Sequence, residues 1–222
     1  MVDVGDWIEQ WLSQPRFAVY LVEADGDRAR ALALYDWNAR AAAAFLHDIG
    51  HLEVGLRNAY DHALSARDRP GDPHWVYEPT RYFPTRIRGG KDANWWPRNE
   101  IAVAIAKAHR SGGGDRPASG KVVAELNFGF WSGLTTAAHE GPVWRHRLHR
   151  AFPRGTSRAA VHEPVDRLRR LRNRAAHNES ILRIQLADRH ADLLAVADML
   201  SPKLRSHIAD RSPVPEVLAV RP

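Results

Sequence analysis

The sequence predicts an all-α fold, and three observations support this. Apolar residues recur at intervals of three or four along most of the chain, the spacing that collects them on one face of a helix. Serine, aspartate, proline and glycine mark the ends of these segments, where helix caps and turns are needed. No alternating strand pattern and no fixed-period repeat stands out. We therefore expect residues 1–222 to form a single α-helical domain.

The N-terminal part is expected to contain two short helices and one long helix. Periodic apolar residues predict the short helices over residues 2–12 and 16–24. Asp27 follows an Asp-Gly turn and can cap a long alanine-rich helix that ends near residue 66. The apolar stripe of this long helix should lie in the core, and it consists of Ala41, Phe45, Ile49, Leu52, Leu56, Ala59, Tyr60 and Ala63.

Residues 67–98 have a different composition, with five prolines and a high density of aromatic residues. We interpret this segment as an ordered insertion that its aromatic side chains anchor to the helices. A surface on which nucleic-acid bases stack is the alternative interpretation. The aromatic residues concerned are Trp75, Tyr77, Tyr82, Phe83, Trp95 and Trp96.

The C-terminal half returns to helical periodicity. Pro164 is expected to open the helix that carries the motif described below, because proline is favourable in the first turn. Residues 212–222 are expected to form a proline-punctuated tail. Further helices are predicted over residues 99–110, 121–134, 142–152, 188–200 and 202–209, with a glycine-rich loop over residues 111–120.

The composition favours an acidic partner, with nucleic acid first. The net charge is +6 and the pI is near 10.0, and the excess comes largely from arginine, which suits bidentate contact with phosphate. A solvated basic surface would give the same totals. The absence of cysteine excludes disulfides, thiolate zinc sites and cysteine nucleophiles. No apolar run reaches membrane-spanning length and no signal-peptide pattern is present, so we expect a cytoplasmic protein without a membrane partner.

Histidine-containing stretches fall short of metal sites. The pair His47-Asp48 lacks the upstream histidine that metal phosphohydrolases need, and we interpret Asp48 and His51 as part of a solvated helix face. His146 and His149 lie among arginines that would repel a cation. The sequence therefore predicts neither a metal nor another cofactor.

The most informative stretch is residues 171–182, Leu-Arg-Asn-Arg-Ala-Ala-His-Asn-Glu-Ser-Ile-Leu. At 100° per residue, Arg172 projects from the middle of an apolar stripe, while Asn173 and His177 share the edge beside it. A charge in an apolar face is costly unless it is paired, so Arg172 needs an anion, a carboxylate or a partner subunit. The stripe consists of Val165, Leu168, Leu171, Ala175 and Ala176.

A second copy of the pattern lies in the long helix. Arg57, Asn58 and His62 repeat the spacing of the first copy. Arg57 can pair with Glu53 and with Asp61, which are each four residues away on the same helix face. Arg172 has no such local partner in the sequence. We therefore interpret Glu53, Arg57 and Asn58 as supporting residues rather than as the main catalytic set.

Residues 172–182 resemble the signature of the HEPN-domain ribonucleases, an arginine and a histidine with four to six residues between them. More narrowly, the chain resembles the Abi-like proteins linked to abortive phage infection, which typically have Leu-Arg-Asn, Ala-His, often a second histidine, and then Glu-Pro-Ile-Leu. Residues 52–59, 127–131 and 143–153 resemble the same family in the same order. The chain departs from the pattern at Asn178, where the second histidine would be, and at Ser180, where proline would be.

The resemblance implies a HEPN-like helical bundle that forms a homodimer, with the two Arg-His motifs facing each other across a cleft. It also implies RNA cleavage without metal, by attack of the 2′-hydroxyl, in phage defence or as a toxin. His177 would transfer protons, Arg172 would stabilise the charge on phosphorus, and Asn173 would orient the imidazole or contact the phosphate. Glu53 would orient Arg172 or Arg57. RNA binding is expected of Arg169, Arg170 and Arg174.

Other interpretations remain open at this point. The protein could bind RNA as a regulatory module without cutting it, or it could be a toxin masked by an antitoxin protein or RNA. For His177 the structural alternative is a histidine at a helix end whose ring hydrogen-bonds the last carbonyls.

Overall fold

The computed structural model describes residues 7–66, 68–113 and 116–222, and the predicted all-α fold is confirmed over these residues. A single hairpin of two-residue strands, β1 (Ile87–Arg88) and β2 (Lys91–Asp92), occurs in the described part. No described helix combines the length and the apolar character needed to cross a bilayer. The helices are α1 (Trp7–Leu12), α2 (Gln14–Glu23), α3 (Arg28–Ser65), α4 (Pro79–Tyr82), α5 (Trp95–Ala108), α6 (Ser119–Glu125), α7 (Phe128–Gly133), α8 (Arg158–Ala176), α9 (Leu186–Leu200), α10 (Pro202–Ala209) and α11 (Val214–Ala219).

Helix α3 is the central element, and it was predicted closely. Its N-terminus is capped by Asp27, whose carboxylate accepts hydrogen bonds from the backbone N–H groups of Ala29 (2.9 Å) and Arg30 (3.1 Å). The predicted apolar stripe is buried, except that Ala59 is partly exposed. At 1.5 Å per residue the helix is roughly 57 Å long. It packs against α2, α8, α9 and α11, so the other helices are arranged around it.

Helix α8 begins earlier than predicted. Its N-cap is Ser157, whose hydroxyl accepts a hydrogen bond from the Ala160 N–H (3.1 Å), and Pro164 lies inside the helix. The prediction that Pro164 opens the helix is therefore wrong. Proline costs the helix one hydrogen bond, and here the cap and the burial of Val161 and Val165 offset that loss.

Two predicted helices are broken in the structure. The segment over residues 121–134 is interrupted because Leu126 is extended and the Asn127 side chain caps α7 by accepting a hydrogen bond from the Phe130 N–H (3.0 Å). The segment over residues 142–152 contains only short helical turns, with Arg147 in a non-helical conformation between them. The predicted first helix is seen from Trp7 onward, and its residues 2–6 lie outside the described part.

Three aromatic side chains anchor the segment over residues 67–98 as predicted. Trp75 and Phe83 are fully buried and Tyr82 is nearly so. The Trp75 Nε1–H donates a hydrogen bond to the Asp61 carboxylate of α3 (2.6 Å). Trp95 differs, because 59% of it is exposed.

The predicted tail contains an additional helix, α11, which packs on α3. The Trp37 Nε1–H of α3 donates a hydrogen bond to the Val217 carbonyl (2.7 Å), and the Arg221 guanidinium lies 5.2 Å from the centre of the same indole ring. Val214 is buried. The prolines of this segment therefore start a short helix instead of preventing one, because proline is tolerated in a first turn.

Asp48 holds the start of this C-terminal segment. The Ser212 hydroxyl donates a hydrogen bond to one Asp48 carboxylate oxygen (2.5 Å), and His47 Nδ1 lies 2.9 Å from the other. His190 Nε2 lies 3.1 Å from the same hydroxyl. Asp48 is fully buried. Its interpretation as part of a solvated face is wrong, because the sequence did not show that the C-terminal segment covers it.

Removal of α11 should destabilise the protein measurably. A chain that ends at Ser212 would lose the Trp37 hydrogen bond and the packing of Val214, Val217 and Leu218, and the apolar surface that these side chains cover would become exposed. We expect the free energy of unfolding to fall by about 2–4 kcal/mol. Urea unfolding followed by circular dichroism measures this loss. The control Val220→Ala, at a residue that is 57% exposed, should stay within about 0.5 kcal/mol of wild type, and an unchanged truncated chain would contradict the packing role of α11.

Candidate functional site

The candidate site lies where α8 ends in a tight turn. The last helical residue is Ala176, and Asn178 adopts the left-handed conformation with φ of 54°. Its N–H donates to the Ala175 carbonyl (3.1 Å), and the Glu179 N–H donates to the Arg174 carbonyl (2.9 Å). This is a Schellman arrangement, in which asparagine is favourable because it tolerates positive φ. The departure from the family pattern at Asn178 thus has a backbone explanation.

This turn leaves the His177 side chain at the surface. The His177 backbone N–H donates to the Asn173 carbonyl (3.0 Å), while its ring makes no hydrogen bond to another described residue. The structural alternative, a ring that satisfies the last carbonyls, is therefore not seen. Asn173 is also exposed, and its side-chain amide makes no hydrogen bond to the imidazole in the part of the chain that the structure describes. Both side chains are accessible to a ligand.

The residues after the turn are held by a buried asparagine that the sequence analysis missed. Asn38 of α3 is 3% exposed. Its side-chain oxygen accepts a hydrogen bond from the Ile181 N–H (2.8 Å), and its side-chain nitrogen donates to the Glu179 carbonyl (3.4 Å). A polar residue within an apolar helix stripe was the signal that drew attention to Arg172, and the same signal could have identified Asn38.

Arg174 is part of the turn rather than a free cation. Its guanidinium donates two hydrogen bonds to the Ser180 carbonyl (2.6 and 3.1 Å) and lies 3.4 Å from the Glu179 carboxylate. The predicted role of Arg174 in RNA binding is untested, but these contacts give it a structural task.

Arg172 has a carboxylate partner within its own chain. Glu53 of α3 is partly buried, and burial raises the pKa of its carboxyl group; the charges of Arg172 and Arg57 and the Phe128 N–H oppose this and offset only part of it. No carboxylate of a described residue lies within 4.0 Å of the Arg172 guanidinium, so Glu53 acts on it over a longer distance. Arg172 therefore has no local ion pair on α8, and the carboxylate that acts on it comes from α3.

Arg172 also lies nearer to the surface than predicted. Val165, Leu168, Leu171 and Ala175 of the expected stripe are buried, but Ala176 is exposed. Arg172, which is partly buried, thus stands at the border of the buried face of α8. From this position its guanidinium can face Glu53 and solvent together.

In the supporting copy on α3, Arg57 interacts with one of its two predicted partners, Glu53, but not with the other, Asp61. Asp61 is occupied by Trp75 and by His74, whose Nε2 lies 3.1 Å away, so it does not pair with Arg57. The Arg57 guanidinium donates a hydrogen bond to the Ala124 carbonyl (3.4 Å) and shares the charge of Glu53 with Arg172. Asn58 is exposed.

Asp166 of α8 holds two of the predicted RNA-binding arginines side by side. One of its oxygens accepts hydrogen bonds from Arg169 (2.7 and 3.0 Å), and the other lies 2.6 Å from Arg170. Burial disfavours the charge of Asp166, but these arginines outweigh it and keep the pKa of the carboxyl group below its usual range. The cluster keeps a net positive charge on the helix that leads to the motif.

Loss of Asn38 should loosen the turn that presents His177. In Asn38→Ala the Ile181 N–H and the Glu179 carbonyl would lose their partner in a buried place, and we expect a loss of about 1–3 kcal/mol in the free energy of unfolding. Hydrogen exchange should show the largest loss of protection at residues 178–182. The matched control is Asn58→Ala on the exposed side of the same helix, which should change stability by less than about 0.5 kcal/mol. Equal effects of the two substitutions would refute the role given to Asn38.

Comparison with known proteins places these features in one family. Neither the curated proteins nor the solved structures give a match to the chain. The family model described as Abi-like protein matches residues 20–183, which include all of α3 and α8, the Schellman turn and Asn38. Because the match covers well over half of the sequence, the chain belongs to the Abi-like protein family.

Proposed function

We propose that the protein is a metal-independent endoribonuclease of the HEPN superfamily that acts in the cytoplasm during abortive phage infection. Membership in the Abi-like family suggests a part in abortive infection. The observation that carries the ribonuclease proposal is the end of α8, where an exposed imidazole, His177, follows a partly buried guanidinium, Arg172, whose charge interacts with that of the partly buried Glu53 carboxylate on α3. Cleavage of RNA through attack by its own 2′-hydroxyl needs a group that transfers protons and a positive charge near the phosphate.

The proposed chemistry assigns proton transfer to His177. Its imidazole takes the proton of the 2′-hydroxyl, and the resulting oxygen attacks the adjacent phosphorus. Arg172 stabilises the negative charge that develops on the phosphorane oxygens. The bond to the 5′-oxygen breaks, and this oxygen receives a proton. The products are a 2′,3′-cyclic phosphate and a 5′-hydroxyl end.

A second copy of the chain could supply the acid for the leaving oxygen. Each protomer offers one histidine at this position, because Asn178 stands where a second histidine is typical of the family. A homodimer with facing motifs would place two imidazoles on one RNA strand. Arg172 no longer requires such a partner, since it has Glu53. The dimer proposal therefore depends on the need for a second proton-transfer group, and sedimentation equilibrium tests it.

Substitution of the central residues tests the catalytic assignment. We expect His177→Ala to lower RNA cleavage about 10²–10⁴-fold and Arg172→Ala about 10²–10³-fold, with EDTA present throughout. Thermal unfolding should remain close to that of wild type, because both side chains are at least partly exposed. The matched control is His62→Ala from the second copy of the pattern, an exposed histidine whose loss should leave cleavage unchanged. Cleavage that persists in His177→Ala would overturn the assignment.

Induced expression of the same variants gives an independent readout. Wild type should arrest growth and fragment cellular RNA, and Arg172→Ala and His177→Ala should do neither. Toxicity that persists in both variants would show that growth arrest does not arise from this site.

The pH dependence of Glu53 separates its positioning role from a structural one. Because burial raises the pKa of Glu53, the folded protein binds this proton more tightly than the unfolded chain does, so the ionised carboxylate costs stability at neutral pH and the cost disappears in acid. Glu53→Gln should therefore equal or exceed wild type in stability at pH 7, and this advantage should shrink near about pH 4. Cleavage should nevertheless fall about tenfold, because Arg172 loses the charge that holds it. A variant that is less stable at pH 7 would contradict this account.

A non-catalytic or masked RNA-binding role is the second candidate, and the single histidine of the motif favours it. Such a protein would bind RNA with strong salt dependence through Arg169 and Arg170 and release no product. A toxin masked by an antitoxin protein or RNA would become active when that partner is removed. Cleavage by the purified chain would exclude the non-catalytic role. For a masked toxin, the product of the adjacent gene is the first partner to test.

A further inference from the structure

A groove between α5, α7 and α8 opens on the same side of α8 as the predicted RNA-binding Arg169. Its cavity volume is about 430 Å³, within the range typical of small-molecule sites. We call it the Trp96 groove, and the lining residues used below are Trp96, Glu100, Asn127, Ser132, Asp166 and Arg169.

The aromatic wall of the groove is fixed in place. The indole of Trp96 lies against α7 at Gly133, where a Cβ atom would overlap the ring. It also packs on Phe130, with the ring centres 5.8 Å apart. Trp96 remains partly exposed. Trp96 is thus held rigidly by its neighbours and still offers part of its ring surface to a ligand.

Two polar groups in the groove lack a partner among the described residues. Ser132 is only 2% exposed, and its hydroxyl makes no hydrogen bond within the described chain. This hydroxyl lines the groove and has no protein partner, so it can hydrogen-bond the polar edge of a ligand. Glu100 likewise forms no ion pair with a described residue.

The charged residues suit a base inside the groove and a phosphate beside it. Glu100 would repel a phosphate inside the groove but can accept a hydrogen bond from an amino group. Arg169 and Arg170, held by Asp166, offer the positive charge that a phosphate needs. A nucleotide therefore fits with its base inside and its phosphate beside these arginines.

The groove lies one to two helical turns from the candidate site along α8. Along α8, Arg169 lies four residues before Asn173 and eight before His177, which is roughly 6 Å and 12 Å of helix. On the other wall, Asn127 directly precedes Phe128, whose N–H acts on Glu53. A strand that contacts His177 can thus reach the groove with a neighbouring nucleotide.

We propose that the Trp96 groove binds the base of a nucleotide near the cleaved bond of single-stranded RNA, and that Glu100 makes it prefer bases with an exocyclic amino group over uracil. This inference rests on the proposed function and adds the determinant of its sequence preference. Trp96 supplies the apolar surface, Ser132 a hydrogen bond, and Glu100 the discrimination against uracil.

Binding measured in the His177→Ala background tests this without degrading the probe. Fluorescent 12-residue oligoadenylate, oligocytidylate and oligouridylate are titrated against the full chain, and we expect the first two to bind about tenfold more tightly. Trp96→Ala should weaken binding of adenylate and cytidylate about tenfold. Glu100→Gln should remove the preference, because an amide both donates and accepts. The matched controls are Trp95→Ala, at a tryptophan outside the groove, and Glu163→Gln, at an exposed glutamate of α8; both should retain it.

The outcomes separate this inference from the proposed function. If the preference is found and depends on Trp96 and Glu100, the groove assignment stands even if wild type releases no product. If wild type cleaves RNA, but Trp96→Ala and Glu100→Gln each bind all three probes with an affinity within about twofold of that of the His177→Ala protein, the groove assignment is wrong. Should Trp96→Ala fail to fold, Ser132→Ala and Trp96→Phe replace it. Ser132→Ala should bind oligoadenylate and oligocytidylate more weakly, and Trp96→Phe should bind them as before. The reverse result would also refute the assignment.

Discussion

The charge of Glu53 acts on Arg172 across the contact between α3 and α8, and the candidate site depends on this interaction. A guanidinium at the edge of an apolar helix face would otherwise have to turn away towards water. Burial disfavours ionisation of the Glu53 carboxyl group, while Arg172, Arg57 and the Phe128 N–H favour it. The buried amide of Asn38 holds the following turn against the same long helix, so α3 positions both sides of the motif.

Three of the stretches that resemble the family are far apart in the sequence and close together in the fold. The stretch near residue 53 supplies the carboxylate, the stretch near residue 127 supplies the start of α7, and the last stretch supplies the arginine and the histidine. These three pieces come from distant parts of the sequence and meet along one side of α8.

Helical periodicity was sufficient to predict α3, including its cap at Asp27, because a long amphipathic helix has a strong local signal. Local signals failed where a side chain competed with the helix, as at Asn127, or where tertiary packing outweighed a breaker, as at Pro164. In the site, the importance of Arg172 followed from its place in an apolar stripe. Glu53 was named only through the family resemblance, as a residue that would orient Arg172 or Arg57, because it lies more than a hundred residues earlier and nothing local shows which helices pack together. Asp61 looked equally suitable for Arg57, and only the structure shows that Trp75 occupies it.

The left-handed conformation of Asn178 has a consequence for how this motif can change during evolution. The position selects residues by backbone preference, and glycine, asparagine, aspartate and histidine are the types that accept it at low cost. Asparagine and histidine can therefore replace each other here without disturbing the turn that ends α8. One mutational step could then convert a motif with one imidazole into a motif with two, so the number of proton-transfer groups could vary among relatives while the scaffold stays the same.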